Sequence, residues 1–276
     1  MTIKLGKYQH YKGKYYEVIH TGWHSDTMEN YVVYRALYDS DKLGKKPIFV
    51  KHSDEFCKNV IVDGEEVPRF RRIDYSLGDE KVKTLISFMK EIEKLKHVTR
   101  AIPISGLQRY ENSAEHSWHL AILLVLLQKH FPDSDMEKML KMALIHDLVE
   151  VYTGDVPAFD DKGRVGKEER EQEAAKRLFS LLPLELGKEF HGLFDEFEEA
   201  NSIEAKVVLA CDKLQAMMQA ILSDGAPWKD NNLDLQWIED YHQPHMFDEN
   251  LLKLYTELIA QIKEIGGFKD GIDEIK

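Results

Sequence analysis

The chain has 276 residues, 43% hydrophobic and 31% charged, enough apolar material for one large core or two unequal ones, which excludes disorder, collagen and coiled-coil arrays. Acidic residues outnumber basic ones 49 to 37, and the net charge of −12 would repel a phosphate backbone, so general nucleic-acid binding is disfavoured. Cys57 and Cys211 are far apart, no apolar signal core opens the chain, and the longest apolar run, 120–127, falls well short of the ~20 residues that span a bilayer; together these predict a cytoplasmic protein, neither secreted nor membrane-bound.

Charge divides the chain. Residues 1–73 carry net +3 and the remainder net −15. The first part holds 11 of the 28 aromatics, in short runs at 15–19, 31–38 and 47–50 separated by Lys12-Gly13, Thr21-Gly22, Lys42-Leu43-Gly44 and Asp63-Gly64. Aromatic and β-branched runs punctuated by turn residues predict a small antiparallel β module over 1–75. Its aromatics at strand spacing read as core, and Arg69, Arg71 and Arg72 as a solvated strand edge, with anion contact the minority reading.

After about Leu77 the period changes. Val82, Leu85, Ile86, Met89, Ile92 and Leu95 follow helical spacing, and from here to residue 270 the pattern predicts an all-α bundle. Ser134 with Asp135-Met136-Glu137 reads as a capping box opening a helix that Thr153-Gly154 ends. Asn201 with Glu204 reads as a second box, opening a helix that stops near Gly225. Helices are also expected over 168–182, over 184–199 and from about Glu249 to Ile265. Two stretches, 155–167 and 225–245, lack periodicity and read as binding loops. The expected fold class is therefore α+β with two domains.

The segment Leu144-Ile145-His146-Asp147-Leu148-Val149-Glu150, with Asp155 beyond it, puts three ionisable groups into an otherwise apolar helix. A single histidine there would most simply be a buried, hydrogen-bonded residue. Three such groups in five residues shift the balance toward a metal with a carboxylate beside it, because burying unpartnered charge is costly. Glu150 lies one turn along the face of His146, whereas His146 and Asp147, being adjacent, converge only where a side chain bends back. Ser113-Ala114-Glu115-His116-Ser117-Trp118-His119 supplies one or two further imidazoles. Asp212 interrupts another apolar helix, where pairing with Lys213 is its plain structural alternative. His116, His146, Asp147 and Asp212 together make two nitrogen and two oxygen donors, suited to one divalent Mn, Co, Fe, Ni or Zn ion and less suited to Mg. His119, His130, His191, His242 and His245 read as structural or surface residues.

The ordered set, Ser-Ala-Glu-His at 113–116, His146-Asp147 with Glu150 and Asp155, then Asp212, resembles the HD superfamily of metal-dependent phosphohydrolases over roughly residues 79–260. It is most similar to the bacterial 5′-deoxynucleotidases and their eukaryotic HD-domain relatives. The resemblance implies a helical bundle, a homodimer, and a metal held by His116, His146, Asp147 and Asp212. It also implies that Arg100, ahead of Pro103, binds the substrate phosphate, with Arg109 as the alternative. Where the bacterial enzymes follow that arginine with a tryptophan that rejects a ribose 2′-hydroxyl, this chain has Ala101, which puts deoxyribose selectivity in question. Separately, Lys7-Tyr8-Gln9-His10-Tyr11-Lys12-Gly13, Val33-Tyr34-Arg35-Ala36-Leu37-Tyr38 and Pro68-Arg69-Phe70 resemble a small bacterial domain of unknown function, expected to be an SH3-like barrel.

The expected activity is removal of phosphate from (deoxy)nucleoside 5′-monophosphates, with the ion activating water and offsetting charge on the phosphoryl group. Glu150 is the expected proton-transfer group, and Asp155 is expected to orient the sugar or the nucleophile. The alternatives are an HD phosphodiesterase or nucleoside-triphosphate hydrolase, or a non-catalytic nucleotide sensor or nucleic-acid adaptor.

Overall fold

The computed structural model describes residues 3–62, 64–73 and 78–266. Its chain divides into two units, 1–78 and 79–276. The first runs β1 (Gly6–His10), β2 (Tyr15–Trp23), β3 (Asn30–Ala36), β4 (Ile48–His52), a short helix α1 (Ser53–Cys57), β5 (Asn59–Val62), β6 (Glu65–Pro68) and β7 (Phe70–Arg72). Five strands form an antiparallel sheet in the order β4-β3-β2-β1-β7, and β5 pairs with β6 in a separate hairpin. Along β3, Val32, Tyr34 and Ala36 are buried at alternate positions, the two-residue period of a sheet with one face inward. Tyr8, Val18 and Phe70 join them, and Phe56 of α1 stacks on Phe70 with ring centroids 4.2 Å apart.

The predicted runs at 15–19, 31–38 and 47–50 therefore lie on β2, β3 and β4. Among the described residues β7 pairs with β1 alone, so Arg71 and Arg72 do stand on a sheet edge, where Arg71 donates to Gln9 Oε1 (3.1 Å); Arg69, just ahead of β7, is half-buried and pairs with Glu55 (3.2 Å). Asp63 of the Asp63-Gly64 turn, Leu77, and the proposed boundaries at 75 and 270 lie outside the described residues.

The second unit opens with α2 (Asp79–Ile92) and a 3-10 turn (Glu93–His97), followed by two short paired strands, β8 (Thr99–Pro103) and β9 (Tyr110–Asn112). These strands correct the all-α expectation. They are too short to show a sheet period, and Gly106 between them takes the positive φ of 75° that a turn requires. There follow α3 (Ser113–Leu127), α4 (Met136–Ile145), α5 (Glu150–Thr153), α6 (Asp161–Arg164), α7 (Lys167–Phe179), α8 (Leu184–Glu199), α9 (Ile203–Leu222), α10 (Ala226–Asp230), α11 (Leu235–His242) and α12 (Glu249–Ile265). Helix α9 is the spine: Val207, Val208, Cys211, Leu214 and Met217 are fully buried, and α3, α4, α8 and α12 pack around it.

Two caps fall one residue later than predicted. Asp135, not Ser134, caps α4 by accepting from Lys138 N. Ser202, not Asn201, caps α9 by accepting from Ala205 N. Glu204 instead accepts from Asp135 N (3.0 Å), tying the start of α9 to that of α4. The helix predicted over 168–182 is observed as α7, ending at Phe179, and the segments expected to be irregular contain α6, α10 and α11. Helices of four to eight residues span too few turns for an apolar stripe to be read from sequence. Among the described residues, no helix is long and apolar enough to cross a membrane.

Candidate active site

The site is built where a helix tightens. Through His146 N→Met142 O (2.9 Å) the α4 hydrogen bonds span four residues. They then shorten to three-residue spacing, Leu148 N→Ile145 O and Glu150 N→Asp147 O (both 3.0 Å). The predicted continuous helix to Thr153 is thus broken at 146–149. That break lets neighbouring side chains converge, and His146 Nε2 lies 3.1 Å from Asp147 Oδ1. α3 supplies His116 and α9 supplies Asp212, whose Oδ1 lies 2.9 Å from His116 Nε2; Asp147 Oδ2 lies 3.7 Å from the same nitrogen. His116, His146 and Asp147 each present a donor atom within 4.8 Å of the others.

These donors can be tested for fit to a cation. His146 Nδ1 lies 3.0 Å from the Ala143 carbonyl, which only accepts, so Nδ1 carries the proton. His116 Nδ1 faces Gln215 Oε1 in the same way. Both Nε2 atoms are consequently lone pairs in the neutral rings. They are buried without a hydrogen-bond partner and face carboxylate oxygens, which also carry lone pairs. Such an arrangement is repulsive unless a cation lies between, and two imidazoles with two carboxylates match the donors preferred by Mn, Co, Fe, Ni or Zn. Burial lowers the His146 pKa and keeps that ring neutral. Burial alone would raise Asp212, but the Lys213 ammonium beside it counters this, and the carboxyl stays well below its usual range.

A cavity of about 280 Å³ opens over this cluster, bounded by Arg100, Ala101, Glu150 and Asp155. Arg100 Nη1 lies 3.3 Å from Asp147 Oδ2 and 3.9 Å from Asp155 Oδ1, while its Nε lies 3.4 Å from Glu111 Oε2. Burial alone would lower the guanidinium pKa, but Asp147, Asp155, Asp212 and Glu150 raise it above its normal value. Arg109 is half exposed and bonds Glu115 (2.6 and 2.7 Å), outside the cavity, so it is Arg100 that the fold delivers to the cluster. Glu150 is 4% exposed and accepts from Ser113 Oγ (2.6 Å); burial, with Asp147 and Asp155 close by, raises its pKa well above the ordinary glutamate value. Gly154 follows α5 with φ 73° and ψ 162°, a conformation open essentially to glycine alone, and turns the chain so that Asp155 faces Arg100.

Other wall residues come from the two segments read as binding loops and from the helices beside them. Lys213 does pair with Asp212 (3.1 Å), the alternative open from sequence, and this coexists with the approach of Asp212 to His116. Lys167 and the buried Glu171 form a pair (2.8 Å) that also lines the cavity. Trp228, Trp237 and Tyr241, from the segment read as a loop, line the cavity, and the Trp237 and Tyr241 rings stack 5.2 Å apart. His242, read as structural or surface, is buried and bonded to the Ile238 carbonyl (2.7 Å), and it also lines the cavity; burial lowers its pKa to about 4. Only the Asn112 capping box with Glu115, which starts α3 and so orients His116, was legible in principle, as Asn-x-x-Glu before an apolar run.

Residues 92–251 match the sequence profile of the HD domain. The chain belongs to the HD domain family. Residues 6–72, ahead of the HD domain, match the family described as a protein of unknown function, DUF1653. The HD region is 32% identical over 146 residues to 5′-deoxynucleotidase HDDC2 of Bos taurus, an alignment covering 52% of this chain and 70% of that protein. It is 29% identical to 5′-deoxynucleotidase HDDC2 of Danio rerio, covering 67% and 92%. Among solved structures, a "predicted metal-dependent phosphohydrolase" from Magnetospirillum magnetotacticum is 31% identical with a TM-score of 0.64, covering 70% of this chain and 100% of that one.

Proposed function

We propose that the HD domain removes phosphate from nucleoside 5′-monophosphates, deoxyribonucleotides included, with one divalent transition-metal ion held by His116, His146, Asp147 and Asp212. The observation that carries this is the pair of buried, partnerless imidazole Nε2 atoms facing two carboxylates beneath a cavity bounded by Arg100 and Glu150. The activity of the 5′-deoxynucleotidase relatives supports the same reading. When bound, the ion supplies a Lewis acid that activates water and offsets charge developing on the phosphoryl group. Arg100 binds the phosphate, because its contacts with Glu111, Asp147 and Asp155 are made by Nε and Nη1, and the guanidinium carries further N–H donors on Nη2. Glu150, held by Ser113, delivers a proton to the leaving 5′ oxygen. Asp155 orients the sugar, and Trp228, Trp237 and Tyr241 offer apolar faces to the base.

Ala101 presents only a methyl group to the cavity, so ribo- and deoxyribonucleotides are expected to be turned over within ~10-fold of one another. Phosphate release from a panel of both sugars, by stripped protein resupplied with Mn, Co, Mg or Zn, tests the proposal. Release of pyrophosphate or triphosphate, or cleavage of a cyclic dinucleotide, would replace it with the diesterase or triphosphatase reading. Tight nucleotide binding without turnover under any metal would replace it with the sensor reading.

The remaining expectations belong to the same proposal. Domain limits of 1–75 and 79–270, an SH3-like barrel for the sheet and its hairpin, and a cytoplasmic setting fit the antiparallel pairing and the two free thiols. Helix α3 supports a homodimer: Trp118, Ile122, Val125 and Leu126 are exposed, Leu126 by 71%, on a helix whose other side is core. Leu126→Glu is expected to halve the mass measured by light scattering; an unchanged mass would rule out α3 as the interface.

A further inference from the structure

Glu111 and Gln215 are 2% and 0% exposed, and neither borders the cavity. They nonetheless join its two working ends. Glu111, on β9, forms an ion pair with Arg100 of the paired strand β8, Oε2 lying 3.4 Å from Nε outside hydrogen-bond geometry, and its Oε1 accepts from Gln215 Nε2 at 3.0 Å. Gln215 lies one turn beyond Asp212 on α9, and its Oε1 faces His116 Nδ1.

Each link has one permissible polarity. A carboxylate only accepts, so Gln215 turns its NH₂ toward one Glu111 oxygen, and the other oxygen sets its negative charge against the Arg100 guanidinium. The amide oxygen is then left for His116, whose Nδ1 must carry the proton and whose Nε2 is bare. That nitrogen points at Asp212 and Asp147. A carboxylate is the only side chain of this size that accepts from an amide at one end and sets negative charge against a guanidinium at the other.

We propose that Glu111 is a positioning residue that orients Arg100 toward the substrate phosphate and, through Gln215, fixes His116 in the tautomer that offers Nε2 to a divalent cation. The inference rests on the roles proposed above for Arg100 and His116. It makes metal and phosphate affinity share one buried carboxylate.

Glu111→Gln tests it, because a neutral amide cannot both accept from Gln215 and set a negative charge against Arg100. In this variant the Mn²⁺ dissociation constant, measured by calorimetry on chelator-stripped protein, is expected to rise ~10–100-fold. The dissociation constant of inorganic phosphate at saturating Mn²⁺ is expected to rise ~10-fold. Gln215→Ala, which leaves the Glu111–Arg100 contact in place, is expected to weaken Mn²⁺ and leave phosphate unchanged, a split that a merely structural role would not produce. The proposal is overturned if folded Glu111→Gln keeps both constants within ~2-fold of the parent, or if Gln215→Ala shifts both equally. It is overturned too if the parent binds neither ion. A parent that binds both yet releases no phosphate from any monophosphate counts against the activity and not against this coupling.

Discussion

Replacing Asp147 with alanine is expected to remove both the metal and the turnover. Asp147 is the carboxylate that reaches both imidazoles and the guanidinium: it lies 3.1 Å from His146 Nε2, 3.7 Å from His116 Nε2 and 3.3 Å from Arg100. Without it the donor set drops to two imidazoles and Asp212, and Arg100 loses a counter-charge. Metal content by elemental analysis should fall from about one ion per chain to a small fraction of that, and phosphate release by at least ~10³-fold. Asp147→Asn, which keeps the shape and one weak oxygen donor, is expected to retain part of the metal and so separate ligand loss from misfolding. Chelator treatment of the parent should reproduce the loss reversibly. Full turnover by protein shown to be metal-free would reject the mechanism.

Glu150→Gln is expected to lower kcat by ~10²–10⁴-fold while leaving metal content intact. Glutamine fits the same space and still accepts from Ser113 Oγ, so the fold around α5 has no reason to change. What it lacks is the proton. Burial and the neighbouring Asp147 and Asp155 keep the Glu150 carboxyl protonated well above the usual range, as a donor to a leaving oxygen requires. KM should move little, since phosphate binding is assigned to Arg100. A folded, metal-loaded Glu150→Gln with kcat within ~3-fold of the parent would remove Glu150 from the proton-transfer role.

The division of the chain into a β part and a helical part was legible because periods of two and of three to four leave different marks in sequence, as at Val32, Tyr34 and Ala36 and again in α8 and α12. His116, His146, Asp147 and Asp212 were legible for a related reason. Ionisable side chains inside apolar helices carry a burial cost that only a partner or an ion offsets, and they stand out against Leu, Ile and Val. Tertiary structure alone decided what surrounds them. Sequence favours Arg100 and leaves Arg109 as the alternative; the β8–β9 hairpin turns the first into the cavity and leaves the second on Glu115. Glu111 and Gln215 sit 104 residues apart, and Trp237 and Tyr241 lie in a segment with no readable period. Their roles are set by contacts across elements, which local spacing does not encode. The break at 146–149 belongs to the same class: Leu148 and Val149 suit a continuous helix, and the chain tightens there to bring His146 and Asp147 together.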